Sequence, residues 1–368
     1  MRKLIIGLIL TFNQIPLIAN DCDEAVSQLP DAPSARGPYE VGARTLTVTG
    51  RTLEVWYPSD GPTEGITNKF YDLRDQLPDN EGNKIPDKQN PIQNCDCFAD
   101  LTFAEGLDQR PLIVYVHGTA AFRTQALPQM THWASRGFVV IAMDHPRIRL
   151  KDILSRGGFL GGIFANQKRD VRRVVAALKR SSTAPNFLQN KIDFDRIALA
   201  GHSAGGNAIA GLGDLAGVKV LIPMAANQVS DENSIESTLV LAAGRDGVVS
   251  PDSQLASYDR LEGPKTLVTI KNAGHLAYSE ICSLGRDDGG ILAIAQRNSV
   301  NVPNIVARLG YDGCADDFIE PTRAFEIINY ASTAVLEETL YCSSKAGQAL
   351  KDIASRFGEE IDFKQLRR

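Results

Sequence analysis

The chain has 368 residues, 43% hydrophobic and 23% charged, with a net charge of −5 at neutral pH. Such a composition belongs to a folded globular protein, long enough for one large domain or two ordinary ones. The slight acidity, and the lack of any block of five or six like charges, argue against nucleic acid or an anionic membrane as partner.

Arg2 and Lys3 precede an apolar run from Leu4 to Phe12, broken by Asn13 and Gln14. A membrane span takes about 20 apolar residues. The run is shorter than that and reads as a secretory signal peptide over residues 1–20, cleaved after Ala19 or Asn20. Asp21 is unlike the small residue that precedes a lipid-modified cysteine, so a secreted or periplasmic protein without an integral span is expected. Cys22, Cys95, Cys97, Cys282, Cys314 and Cys342 all follow the leader. An even number of cysteines in an exported chain implies disulfides. Cys95-Asp96-Cys97 is too close for zinc ligation. Cys282 with Cys314 is the pairing expected, and it would staple the segment after His275.

Residues 21–368 read as one α/β domain. Thr45 to Val48 and Thr52 to Pro58 predict two short strands around a turn at Gly50. Residues 59–110, rich in Asp, Asn, Pro and Gly, predict an irregular surface insertion carrying Cys95 and Cys97. A different rhythm follows. Pro111 to Val116, Phe138 to Met143, Ile197 to Ala200, Val218 to Pro223, Thr238 to Ala243 and Thr266 to Ile270 are short apolar runs without polar alternation. That is the pattern of strands buried on both faces of a parallel sheet.

Helical patterns lie between these strands. Val171, Val174, Val175 and Leu178 form one helical stripe, and Ser250-Pro251 reads as an N-cap and first-turn proline opening a helix through Leu261. Alternating strands and helices imply a mostly parallel central sheet with helices on both faces. A C-terminal helical segment over about 318–360 reads as scaffold, with a helix over Pro321 to Leu340 and another around Gly347 to Phe357. Residues 289–317 give no clear pattern.

The motif that carries chemistry is Gly201-His202-Ser203-Ala204-Gly205. The strand Ile197 to Ala200 runs into it and a small-residue helix leaves it. A serine on such a strand-to-helix elbow is held above the sheet with its hydroxyl exposed, and the flanking glycines allow neighbouring chains to approach. A serine hydroxyl is a poor nucleophile until an adjacent base takes its proton.

Of His117, His132, His145, His202 and His275, only His275 lies past the last strand, where the order serine, acid, histidine puts a base. His202 sits inside the elbow and is expected to point away from the Ser203 Oγ. The acid that orients the base is read as Asp246, at the C-terminal end of its strand, with Asp231 and Asp214 as rivals. The oxyanion of the tetrahedral intermediate needs two N–H donors. The amide of Ala204 is one; Thr119, after the strand ending at Val116, supplies the other, with Ala120 as the alternative.

The stretches PLIVYVHGTAAFRT, RGFVVIAMDHPR and GHSAGG resemble platelet-activating-factor acetylhydrolases and the related dienelactone-hydrolase-like esterases, over residues 36–280 at motif level. The resemblance implies an α/β-hydrolase fold and a calcium-independent serine esterase. In it Ser203 is nucleophile, His275 base, and the amides of Thr119 and Ala204 the oxyanion donors. The chain departs from the acetylhydrolases where PMAANQ lacks their aspartate. GRDGVVSP around Asp246 is similar instead to dienelactone hydrolases and bacterial cutinase-like polyesterases, while Ser203 differs from the usual cysteine of the former.

The expected activity is cleavage of short- to medium-chain acyl esters through an acyl-enzyme, on a small-molecule or lipid-like substrate, with no cofactor and no metal. A lipase or polyester hydrolase, a peptidase with the same triad, and a non-catalytic binding module of the same fold are the alternatives. Arg147 to Phe164 reads equally as a lid or acyl pocket and as an ordinary surface loop.

Overall fold

The computed structural model describes residues 28–107, 109–155, 158 and 162–367. The expected leader over 1–20, Cys22 and part of the 147–164 stretch lie outside the described residues. The chain opens with a hairpin, β1 (Glu40–Val48) and β2 (Arg51–Ser59). Its turn is Thr49-Gly50, with φ of 48° and 73°, the left-handed pair that matches strand twist in two-residue turns. β3 (Asn68–Asp72), a helical turn α1 (Asp79–Gly82) and β4 (Ile92–Ala99) come next. Residues 59–110 are therefore not the irregular excursion their composition predicts. They add two strands to the sheet, β4 pairing antiparallel with β3 and parallel with β1.

The remaining order is β5 (Arg110–Val116), α2 (Leu127–Ser135), β6 (Val139–Met143), α3 (Leu150–Leu154), α4 (Gln167–Lys179), β7 (Ile192–His202), α5 (Ala204–Ile209) and β8 (Val218–Met224). Then come β9 (Ser237–Ala243), α6 (Pro251–Arg260), β10 (Lys265–Ile270), α7 (Gly290–Arg297), α8 (Asn304–Leu309), α9 (Pro321–Leu340), α10 (Ser344–Phe357) and β11 (Ile361–Leu366). The strands form one 11-stranded sheet in the order β11-β10-β9-β8-β7-β5-β6-β2-β1-β4-β3. Its centre, from β6 through β5 and β7 to β10, is parallel. Antiparallel pairing brings β11 to β10 at one end and β2 to β6 toward the other.

Side chains alternate across the pleat, and the apolar runs feed two core layers. Ile113, Tyr115, Val140, Ala142, Ala198 and Ala200 pack on the α2 and α9 side. Leu112, Val114, Val139, Ile141, Ile197 and Leu199 face the α4 stripe of Val171, Val174, Val175 and Leu178. The α6 N-cap forms as the sequence predicts, Ser250 Oγ accepting from the Ser253 amide. No described helix is long and apolar enough to cross a membrane.

Candidate active site

The chemistry-bearing residues gather at the C-terminal ends of the parallel strands. β7 ends at His202, and α5 begins at Ala204, so Ser203 alone makes the turn, with φ 56° and ψ −120°. A non-glycine residue there costs about 1–3 kcal/mol and persists only where its surroundings hold it. The Ser203 amide donates to the Met224 carbonyl of β8 at 2.9 Å. At Gly205 the elbow permits nothing larger than glycine: a Cβ there would lie 2.0 Å from the Val116 carbonyl oxygen. At Gly118, a Cβ would meet the Ser203 Cβ at 3.2 Å, so this glycine brings the loop after β5 against the serine.

Asp246 follows β9 and His275 follows β10, and the two side chains meet. His275 Nδ1 lies 2.9 Å from Asp246 Oδ2. The other carboxylate oxygen accepts the amides of Val248 and Val249, both at 2.8 Å. Gln254 of α6 donates from Nε2 to Oδ2 at 2.8 Å. Burial opposes ionisation of this carboxyl, but the hydrogen bond and charge of His275, with the two amides, hold its pKa below the ordinary carboxylate value. Ser203 and His275 border one cavity of about 340 Å³, together with Thr119 and Ala120.

Comparison with known proteins bears on the fold and the class of enzyme. The ferulic acid esterase from Streptomyces cinnamoneus superposes with a TM-score of 0.60 at 20% identity, covering 85% of this chain and 93% of that one. At that identity the likeness establishes the fold. A PET hydrolase-like family model matches residues 110–284, which include Ser203, Asp246 and His275. The model of platelet-activating factor acetylhydrolase, isoform II, matches residues 25–148, which include Thr119. No curated protein matches the chain. The chain is an ester hydrolase of the α/β-hydrolase superfamily. The acetylhydrolase match ends at residue 148, and the PET hydrolase-like match continues through the segment that carries Asp246.

The other expected residues of the hydrolase fall as follows. The Ala120 amide donates to the Ile148 carbonyl at 2.8 Å, which leaves Thr119 as the loop's candidate donor. Ala204 is the first residue of α5, where helical N–H groups lack intrahelical partners. Of the rival acids, Asp214 is exposed and paired with Arg172, and the exposed Asp231 accepts the Glu262 amide at 3.0 Å. Neither touches His275.

His117, His132 and His145 are buried in other networks, with Gly118, Pro33 and Asp170 respectively. His202 touches the loop of His275. Gln125 Nε2 donates to its Nδ1 at 2.7 Å, so the imidazole proton sits on Nε2, which donates to the His275 carbonyl at 2.9 Å. Burial lowers the His202 pKa to about 3, keeping this tautomer neutral. Gln125 Oε1 also accepts the Gly118 amide at 3.2 Å, tying the loop of Thr119 to the loop of His275.

Three side chains that hold the candidate site together escape sequence reasoning: Gln125, Gln254 and Asp312. The Asp312 carboxylate accepts the amide of His275 at 2.6 Å and that of Gly247 at 3.0 Å, bridging the loops that carry His275 and Asp246. Cys282 pairs with Cys314 as expected, and Cys95 with Cys97. Among the described residues no cluster of His, Cys, Asp or Glu is arranged to hold a metal ion.

Proposed function

We propose that this hydrolase is a secreted serine esterase that cleaves carboxylic esters through Ser203, His275 and Asp246. The observation that carries the reading is the Asp246–His275 hydrogen bond beside an elbow serine that borders the same cavity. Asp246 accepts from Nδ1, which leaves the His275 Nε2 lone pair free to take the Ser203 proton. Ser203 Oγ then attacks the ester carbonyl, and the amides of Thr119 and Ala204 receive the developing oxyanion. His275 returns the proton to the departing alkoxide, giving an acyl-enzyme. Water, deprotonated by His275, releases the acid and restores the serine. Substrates are small-molecule or lipid-like esters with short- to medium-chain acyl groups.

The test is hydrolysis of p-nitrophenyl esters, from acetate to palmitate, by the mature protein and by Ser203→Ala. On the scale of triad knockouts, kcat is expected to fall about 10⁶-fold with the fold intact. Equal activity in the variant, or no ester hydrolysis by folded wild type, overturns the reading.

A further inference from the structure

We propose that the cavity beside Ser203 is an acyl pocket for an unbranched, medium-length aliphatic chain, built by three segments outside the parallel core of the sheet. This rests on the esterase reading and names its substrate class. The walls come from the stretch between β3 and β4, from α3, and from α7 and α8. They present Leu77, Ile85, Leu154, Ile294, Val302 and Val306 to the cavity. Among the described lining residues there is no Asp, Glu, Lys or Arg, and Phe122 is the one phenyl ring. A charged acyl group would find no counter-ion here, and a flat aromatic acyl group would find little to stack on. An aliphatic chain finds apolar contact along most of the lining, with Gln76 and Asn90 as polar side chains in the wall from between β3 and β4.

The apolar wall is continuous. One satellite cluster joins Ile153, Leu154 and Val306 to Ala120, the residue after Thr119. A second joins Ile85, Ile294 and Val300. Leu77 and Val302 pack against both, so the wall runs unbroken from the loop beside the serine to its far end. Ile305, also on the wall, is 49% exposed, an apolar surface with no protein partner over much of its area.

A volume of about 340 Å³ lies at the lower end of ligand pockets and far exceeds an acetyl group. We seat the acyl side here, the side that stays on the serine after the alcohol departs and is held through both halves of the reaction. Stretch 147–164 contributes to this pocket through Leu150 and Leu154 of α3.

The experiment measures kcat/KM for p-nitrophenyl acetate, butyrate, hexanoate, octanoate and decanoate, and calorimetric binding of decanoate to Ser203→Ala. Each buried methylene is expected to raise kcat/KM about fourfold until the chain outgrows the pocket. Ala295→Phe, which fills the wall from α7, is expected to lower the decanoate-to-acetate ratio at least tenfold. Ile305→Ser, at an exposed wall position that does not threaten folding, is expected to weaken decanoate binding severalfold.

A flat or falling acyl series overturns the proposal. So does a preference for p-nitrophenyl benzoate over decanoate, or a chain-length gain confined to alkyl acetates. If no ester is turned over yet decanoate binds and Ile305→Ser weakens it, the pocket stands and the serine esterase reading falls. If esters are hydrolysed but decanoate does not bind, the reading stands and the pocket falls. If neither occurs, both fall.

Discussion

Asp312→Ala removes the carboxylate that grips the amides of His275 and Gly247, at 2.6 and 3.0 Å. The two losses differ in cost. Gly247 is exposed, and water can replace its acceptor; His275 is buried, and its amide is left without one. A buried donor stranded in this way costs about 1–3 kcal/mol, at the upper end when the lost acceptor is charged. We expect a stability loss of about 2–3 kcal/mol in urea. The Asp312 carbonyl keeps its bond to the Leu276 amide at 2.9 Å, so the loop should loosen rather than detach.

The kinetic effect should fall on the chemical step, because Asp312 acts only through the loops that carry the base and acid. A displacement near 1 Å costs on the order of 10²-fold, so kcat on p-nitrophenyl butyrate should drop roughly 10- to 100-fold. KM should move far less. Asp312→Asn keeps one acceptor and sets an NH₂ group against the other amide, so it should recover part of kcat. Wild-type kcat in Asp312→Ala, or a loss confined to KM, would refute the bridging role.

Glu280 is half-buried and accepts from Gln93 Nε2 at 2.7 Å, while its amide donates to the Gln125 carbonyl. Burial pushes its pKa up to about 7, partly opposed by the Gln93 hydrogen bond. The native state thus holds a proton that the unfolded chain releases near pH 4.5, and its contribution is present below that pH and lost as pH rises through 7. Glu280→Gln should gain on wild type by on the order of 2–3 kcal/mol between pH 5 and 8, and urea midpoints at the two pH values that keep the same gap would sink this. Replacing Cys282 and Cys314 by alanine opens a loop with a sequence separation of 32. The chain-entropy cost for such a loop is about 3–4 kcal/mol, and a thermal midpoint unchanged by the double substitution would show that packing alone holds it.

How far the site was legible depended on whether its signal was local. Ser203 could be found because a strand, a three-glycine neighbourhood and a helix fall within a few residues. Asp246 and His275 each follow a continuous apolar run, so their place at strand ends was readable before any contact was known. Asp312 reaches the base loop from 37 residues away and sits in a stretch without periodicity. Gln125, just before α2, and Gln254, within α6, are ordinary glutamines until tertiary contacts place acceptors and donors beside them.

The fold shows the same division. The buried central strands announced themselves, whereas β3, β4 and β11 lie near the sheet's ends, where half of each strand faces outward. In β4 the residues Ile92–Ala99 alternate inward and outward, but two of the inward positions are Cys95 and Cys97, and polar neighbours hide the strand's period. The helices α7 and α8 escaped because they are short, eight and six residues, too few turns for a periodic stripe to stand out.

The Cys282–Cys314 link encloses α7, α8 and Asp312 in one loop of chain. The side chains that α7 and α8 give to the cavity and the carboxylate that joins the His275 and Gly247 loops therefore travel together, yet occupy different parts of it. Residues between about 286 and 309 could be exchanged like a cartridge, to reshape what the hydrolase accepts. The seat into which that cartridge fits, from Gly310 to the second cysteine, would go on holding His275 and Gly247 in register.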